Sequence, residues 1–244
     1  MKTFKTLFFV CFISFNVPLI AQTADEVIET YFENTGGIEN WGALNGVKMN
    51  ASANNQGMEI PVEIIQLKDG RQAVKISFQG QEITQFAFDG ETMWSTNFMT
   101  MQPEKTESEM TENFKKQSKD FPSPLFNYKE KGYTAELMED ETIDGAETFK
   151  IKLTQTPLMV DGVEQPNISY HYFDKDSYAI IQSEAEIQQG PMKGQKSISK
   201  MSDYQEIDGL YFPFDMSMGG QSIKITSITL NPEVEDSVFA FPEE

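Results

Sequence analysis

The feature that most constrains this chain is punctuation. From residue 46 onward, short runs of alternating apolar and polar residues are cut at close intervals by Gly or Asp-Gly turns: Gly57, Asp69-Gly70, Gly80 and Asp89-Gly90, then Gly132, Asp144-Gly145, Asp161-Gly162, Asp174 to Ser177, Gly190, Gly194, Asp208-Gly209 and Gly219-Gly220. Strands separated by tight turns at that spacing predict a meander of hairpins, hence a mainly β fold in one continuous antiparallel sheet. The alternation is legible within single strands. Val74, Ile76 and Phe78 share one face, as do Phe86 and Phe88, then Phe149, Ile151 and Leu153, and then Phe212, Phe214, Met216 and Met218. Ile223 and Ile225 are followed by Ile228 and Leu230, a change of phase that predicts a bulge near Thr226 and Ser227. Two stretches close the sheet in this reading, DYQEIDGLYFPF (Asp203 to Phe214) and NPEVEDSVFAFP (Asn231 to Pro242), which are expected to be its last strands. The Ile-Asp-Gly triplets at Ile143 and Ile207 are explained by hairpin chemistry without an internal duplication.

Helices interrupt this pattern twice. ADEVIETYFE (Ala24 to Glu33) spaces Val27, Ile28, Tyr31 and Phe32 for one helical face, with Thr23 or Asp25 as its cap and Gly36-Gly37 as its stop. Between Glu104 and Lys131 the strand signals vanish, and over Glu104 to Phe121 a helix with Met110, Phe114 and Phe121 on a sparse apolar side is expected, broken by Pro122 and Pro124. Whether Glu107 to Phe121 forms a moving lid is not written in the sequence.

The first residues have a short basic start (Lys2, Lys5), an apolar core from Leu7 to Phe15, and Ala21 at a cleavage position. They predict a secretory signal peptide over residues 1–21, cut after Ala21 or Gln22, followed by a single domain over 22–244 and an exported, periplasmic location. Asn16 and Pro18 interrupt the apolar run short of the roughly 20 residues a bilayer-spanning helix needs. Cys11, the only cysteine, lies inside the leader, so the mature chain is expected to carry neither disulfide nor lipidated cysteine.

Charge and ligand chemistry narrow the function. The chain has 19 Lys plus Arg against 38 Asp plus Glu, a formal charge of −19, which argues against nucleic acid and against an anionic membrane surface as partners. His171 is the only histidine, in a strand among aromatics; no serine stands in a Gly-x-Ser-x-Gly elbow, and no His or Cys spacing suits zinc. Asp174, Asp176 and Glu184 do not complete a calcium loop, because its glycine position is Ala179 and its twelfth position Ala185. The expectation is therefore a protein that is not an enzyme and uses no metal or cofactor. What the chain has in excess is soft apolar material, 19 Phe and 13 Met. Ile168 to Phe173 and Leu210 to Phe214 are apolar on both faces, which fits a sheet packed on one side and lining a cavity on the other, or one covered by two layers.

The order of these parts resembles the LolA-like lipoprotein-carrier superfamily, in the form of the outer-membrane lipoprotein-sorting proteins of Bacteroidetes-type bacteria. The resemblance runs over the whole mature chain: an amphipathic helix ending in Gly-Gly, the segment GETMW (Gly90 to Trp94), a helical interruption, DYQEIDGLYFP and DSVFAFP. It implies an unclosed β-barrel, a strongly curved antiparallel sheet with helices covering a hydrophobic cavity. It also implies a monomeric carrier of lipoprotein acyl chains or other lipids, working between an inner-membrane transporter and an outer-membrane acceptor. Relatives of the same fold act as sensors or adaptors that bind a protein partner, which is the alternative. The carriers use basic residues near the cavity mouth, whereas this chain has one arginine, Arg71, leaving Lys48 or Lys75 as substitutes. The expected lining residues are Phe86, Phe88, Phe149, Ile151, Tyr172, Phe212, Phe214 and Met216.

Overall fold

A computed structural model describes residues 22–55, 57–189 and 192–242. Residues 1–21, expected to be a leader, and Gly190 lie outside the described residues. Helix α1 spans Ala24–Asn34 and buries Val27, Ile28, Tyr31 and Phe32. Of the two candidate caps, Thr23 serves: its hydroxyl accepts from the Glu26 amide at 3.2 Å while the Glu26 carboxylate accepts from the Thr23 amide at 2.8 Å. A second helix that the sequence reading did not anticipate, α2 (Ile38–Ala43), follows Gly36-Gly37 and buries Trp41. The indole N–H of Trp41 donates to Thr35 Oγ1 at 3.1 Å. Gly36 is needed for space as well as conformation, since a Cβ there would lie 2.2 Å from the Gly209 carbonyl oxygen.

The strands are β1 (Gly46–Asn55), β2 (Met58–Leu67), β3 (Gln72–Phe78), β4 (Gln81–Phe88), β5 (Met93–Thr96), β6 (Pro103–Lys105), β7 (Thr134–Leu137), β8 (Glu141–Ile143), β9 (Ala146–Val160), β10 (Val163–Asp174), β11 (Ile180–Glu186), β12 (Lys196–Ile207), β13 (Leu210–Met218) and β14 (Gln221–Leu230). They form one 14-stranded antiparallel sheet in the order β6-β5-β4-β3-β2-β1-β14-β13-β12-β11-β10-β9-β7, with β8 continuing β7 alongside β9. The sheet is open, with β6 at one margin and β7 at the other. Five of its turns, Gln79-Gly80, Asp144-Gly145, Asp161-Gly162, Asp208-Gly209 and Gly219-Gly220, have positive φ at both central residues. That is the type I′ signature, whose twist matches the flanking strands. The phase change in β14 is a bulge at Thr226: Asn50 pairs with Ser227 and Ala51 with Ile225.

Helix α3 (Ser108–Gln117) reveals the curvature. Phe114 packs edge-on against Phe86 and Phe88 of β4, with ring centroids 4.8 and 5.1 Å apart. One residue earlier, Asn113 donates to the Met159 carbonyl of β9 at 2.6 Å and accepts from the Met159 amide at 2.9 Å. β4 and β9 are nine strand-to-strand steps apart, which laid flat would be about 43 Å. A ten-residue helix is about 15 Å long, so the sheet must curl until its two margins approach one helix. The architecture is an unclosed barrel with α3 across the gap. α3 is shorter than expected, because Glu104 and Lys105 belong to β6, and its buried positions are Thr111 and Asn113 rather than an apolar stripe.

The inner, concave face is filled at one end by α1, α2 and the segment from Phe121 to Tyr128, which pack on Val47, Ile151, Leu153, Phe173, Leu210 and Phe212. Phe212 meets Trp41 at 5.1 Å and Phe173 meets Tyr31 at 5.7 Å. On the outer face, Ile65, Ala73, Ala87 and Trp94 form one cross-strand row covered by Phe239, which is 0 % exposed. Here the expectation for the C-terminus is corrected. The last strand is β14, and Asn231 to Pro242 is an irregular tail with one 3-10 turn at Asp236–Val238, laid across the outer face. Pro232 and Pro242 bracket it and cannot donate to a ladder. Trp94 holds it by donating its indole N–H to the Phe239 carbonyl at 2.8 Å.

Because every neighbouring pair is antiparallel, the turns fall at two ends. The lower end, where α1 and α2 sit, has the turns after β2, β4, β8, β10 and β12, and each carries aspartate: Asp69, Asp89, Asp144, Asp174 with Asp176, and Asp208. The upper end has the turns after β1, β3, β5, β9, β11 and β13. Its exposed side chains are of another kind, with Met58 on the first turn, Phe98, Met99 and Met101 on the third, and Val163, Met192 and Met218 on the last three.

Candidate functional site

Strand register assembles three apolar ladders on the inner face. The lowest joins Phe86, Val74, Ile64, Met49 and Ile228 across β4, β3, β2, β1 and β14. The next joins Ile83, Ile76, Val62, Ala51 and Ile225 across the same strands. The uppermost joins Ile60, Ala53, Ile223, Met216 and Met201 across β2, β1, β14, β13 and β12. The alanines, Ile83 and Ile225 are buried, but Ile60, Val62, Ile64, Val74, Ile76, Ile223 and Met216 stay half-buried. These lie above the helix-packed cluster. None of the ladder positions can ionise, so this wall offers dispersion and water exclusion, not polar anchoring.

Beyond β12 the same face turns small and hydroxylic. Ser199 pairs with Ser183, which pairs with His171, which pairs with Ile151; in the neighbouring row Ser197 pairs with Ala185, Ala185 with Ser169, and Ser169 with Leu153. His171 is 7 % exposed. Its Nε2 lies 3.0 Å from Ser169 Oγ and its Nδ1 3.1 Å from Ser183 Oγ, so both ring nitrogens are occupied by hydroxyls. A neutral imidazole suits two hydroxyls, donating to one and accepting from the other. Burial pushes its pKa down to about 4. No carboxylate orients the ring, so the geometry is that of a satisfied packing histidine and not of a base poised against a nucleophile.

The eight residues predicted to line a cavity divide by location. Phe88, Ile151 and Phe212 are buried and Phe149 packs beside them, all on the inner face but beneath helices. Phe86, Phe214 and Met216 are half-buried on that face, and Met216 stands in the uppermost ladder. The expectation for Tyr172 is corrected by register. It pairs with Lys150, not with Phe149 or Ile151, and therefore points outward, where Lys150 lies 5.3 Å from its ring centroid. It is 1 % exposed all the same. The residues missed were Met49, Ile60, Val62, Ile64 and Ile223. Their signal was present in the alternation of β2 and β14, and became decisive only once register joined the strands.

The three basic residues considered for a cavity mouth are engaged elsewhere. Arg71 binds Asp69 at 2.8 Å and Asp236 at 2.5 Å and lies 5.1 Å from the Phe239 ring centroid, pinning the C-terminal tail. Lys48 pairs with Glu63 at 2.5 Å and Lys75 with Glu82 at 2.8 Å, both on the outer face. Among the described residues no group of three or more His, Cys, Asp or Glu side chains is placed to hold a metal ion, and no helix is long and apolar enough to cross a membrane.

Two concavities lie away from the ladders. A groove of about 400 Å³ between α1 and residues 125–130 has Ile28, Phe32 and Leu125 at its floor and Asp25, Glu29, Glu33 and Glu130 around it. Asp25 there is held below the usual carboxylate range by hydrogen bonds from Lys129 and Tyr128. An outer-face hollow of about 590 Å³ combines Ile168 and Tyr170 with Lys150, Glu184 and Lys196. Both are bordered by charge, which distinguishes them from the inner wall.

No protein-family model matches the chain, and no curated protein matches it in sequence. Its architecture does have solved counterparts. A LolA superfamily protein from Nitrosomonas europaea superposes with a TM-score of 0.54 at 14% identity, over 90% of this chain and 98% of that one. A DUF1329 family protein from Desulfovibrio piger superposes with a TM-score of 0.53 at 15% identity, over 89% and 97%. The fold is LolA-like.

Proposed function

We propose that the uncovered upper part of the inner face binds acyl chains, and that the protein is a non-enzymatic carrier of lipids or lipid-modified proteins in the cell envelope. The observation that carries this reading is the set of three register-matched ladders, free of ionisable groups and half-buried at all but four positions. Apolar surface of that extent is not left partly open without cost, and an occupant that is itself apolar removes the cost. The Ser and Ala side chains of β10–β12 leave room on the same face. The LolA-like fold supports the assignment by analogy only, since one fold serves several functions. An acyl chain gains about 0.8 kcal/mol per buried methylene, so the wall gives affinity without a polar anchor and with little selectivity among chains. Transport from an inner-membrane donor to an outer-membrane acceptor is the cellular role this reading favours.

The test is displacement of a fluorescent fatty-acyl probe in solution. Met216→Glu, which puts a charge into the uppermost ladder, is expected to weaken probe binding at least about tenfold. Lys224→Glu, beside Ile223 but facing outward, is expected to leave it within about twofold. Equal binding by both variants, or no uptake by the wild-type protein, would sink the proposal.

A further inference from the structure

We infer that the upper rim of the barrel is a docking surface for an uncharged, zwitterionic lipid bilayer. The distribution of exposed apolar side chains is the starting observation. Of the eleven large hydrophobic residues exposed among the described residues, eight lie at the upper end: the seven on its turns and Ile198, just inside β12. The five lower turns all present aspartates, whereas of the upper turns only that after β9 has one, Asp161, paired with Lys193 at 2.8 Å. A random scatter of exposed apolar residues needs no explanation, but segregation to one end does.

The form of the patch selects the occupant. It is a set of separate hairpin tips, five of the six upper turns carrying one to three such side chains and the turn after β3 none. Met99 is 94 % exposed and Phe98 57 %, held out by a loop whose own polar needs are met internally. Asn97 Oδ1 accepts from the Met99 amide at 2.8 Å, and the Met101 amide donates to the Asn97 carbonyl at 2.7 Å. Isolated tips do not make the continuous core a folded protein partner packs against. They do suit the interfacial layer of a bilayer, into which single apolar side chains insert by several ångströms. Met, unbranched and adaptable, tolerates the irregular surface of lipid.

Charge decides which bilayer. Glu59 stands beside Met58 and Glu164 beside Val163, and the chain as a whole carries −19. Anionic headgroups would be repelled, as would a second copy of this chain. Neutral headgroups would not. The rim borders the uppermost ladder, since Met218 follows Met216 on β13 and Met58 precedes Ile60 on β2. Docked by the rim, the molecule opens its inner face towards the membrane. This docking stands whether or not the inner face holds acyl chains.

The experiment is flotation of the wild-type protein with vesicles of phosphatidylcholine and phosphatidylethanolamine. The wild type is expected to float, and the Phe98→Ser, Met99→Ser double variant to lose at least about tenfold in partitioning. Met138→Ser, which removes an exposed methionine away from the rim, is expected to float as the wild type does. A Phe98→Trp variant is expected to show a blue-shifted emission on adding vesicles, and anionic phosphatidylglycerol to weaken binding at low salt. Absence of wild-type flotation, an unaffected double variant, or unchanged emission from the Phe98→Trp variant would each overturn the inference. Acyl-probe uptake without flotation would overturn docking alone and leave the proposed cargo intact; concentration-dependent dimers without flotation would reassign the rim to self-association.

Discussion

His171 shows at the residue scale how burial settles a question that residue type leaves open. The only histidine of the chain occupies both ring nitrogens with serine hydroxyls and sits at the boundary between an apolar and a hydroxylic wall. Its pKa falls from 6.5 to about 4 through desolvation. The folded state therefore refuses a proton that the unfolded state accepts. Stability from this residue is complete above pH 6.5 and is lost as pH falls towards 4, on the order of 3 kcal/mol in all. Thermal unfolding between pH 7 and 4 checks it: a His171→Asn variant should lose less stability over that window than the wild type does, and parallel curves would refute the assignment. The sequence placed His171 in a strand, packed or at the surface, and the structure shows it packed. Its partners were illegible, because Ser183 is twelve residues away and meets it only through β10–β11 pairing. Tyr172, one position further, marks the limit of reading phase from composition. Aromatic residues stood on both faces of that strand, and only register with Lys150 told them apart.

At the scale of elements, α3 is the least sequence-evident piece. A helix was visible from the loss of period-two alternation, yet the residue that fixes it is Asn113, a polar residue in a segment read for its Met and Phe. Its side-chain amide closes two hydrogen bonds on the Met159 backbone, a contact across 46 residues that local periodicity cannot encode. Asn113→Ala leaves the Met159 N–H unpaired and its carbonyl with only the 3.3 Å bond from Gln189, and is expected to destabilise by about 1–3 kcal/mol. Hydrogen exchange should localise the effect, with faster exchange in α3 than in β1 or β14; uniform acceleration would mean that α3 does not move separately. The C-terminal tail was misread for a related reason. Its aromatics alternate in NPEVEDSVFAFP as strand residues do, but proline at both ends removes it from any ladder, and Phe239 is buried by lying across strands instead of joining them.

The whole molecule is a sheet covered unequally. Helices fill the lower inner end, the tail seals part of the outer face, and the upper inner end keeps its ladders half open. The antiparallel meander and the bulge at Thr226 were legible because turn residues and alternation are local. The circular order that pairs β1 with β14 and brings β4 and β9 to one helix was not, since it depends on accumulated twist and on contacts between distant segments. Removing the outer cover has a predictable signature. Phe239→Ala is expected to cost about 3–5 kcal/mol and to shift Trp94 emission to the red as its surroundings admit water. A variant with wild-type stability and emission would show that the tail is dispensable.

The helix in the gap has one more consequence. Strands β4 and β9, near the two margins of the sheet, are clasped by side chains and not by a backbone ladder, as in a split ring closed with a catch. The girth of such a ring is set by where the catch sits, with Phe114 of α3 packed on β4 and Asn113 of α3 bonded to β9. Widening such a ring means shifting α3, which breaks no β-bridge. The girth of this sheet is thus a property of one ten-residue helix, whereas in a fully closed barrel it is fixed by strand number.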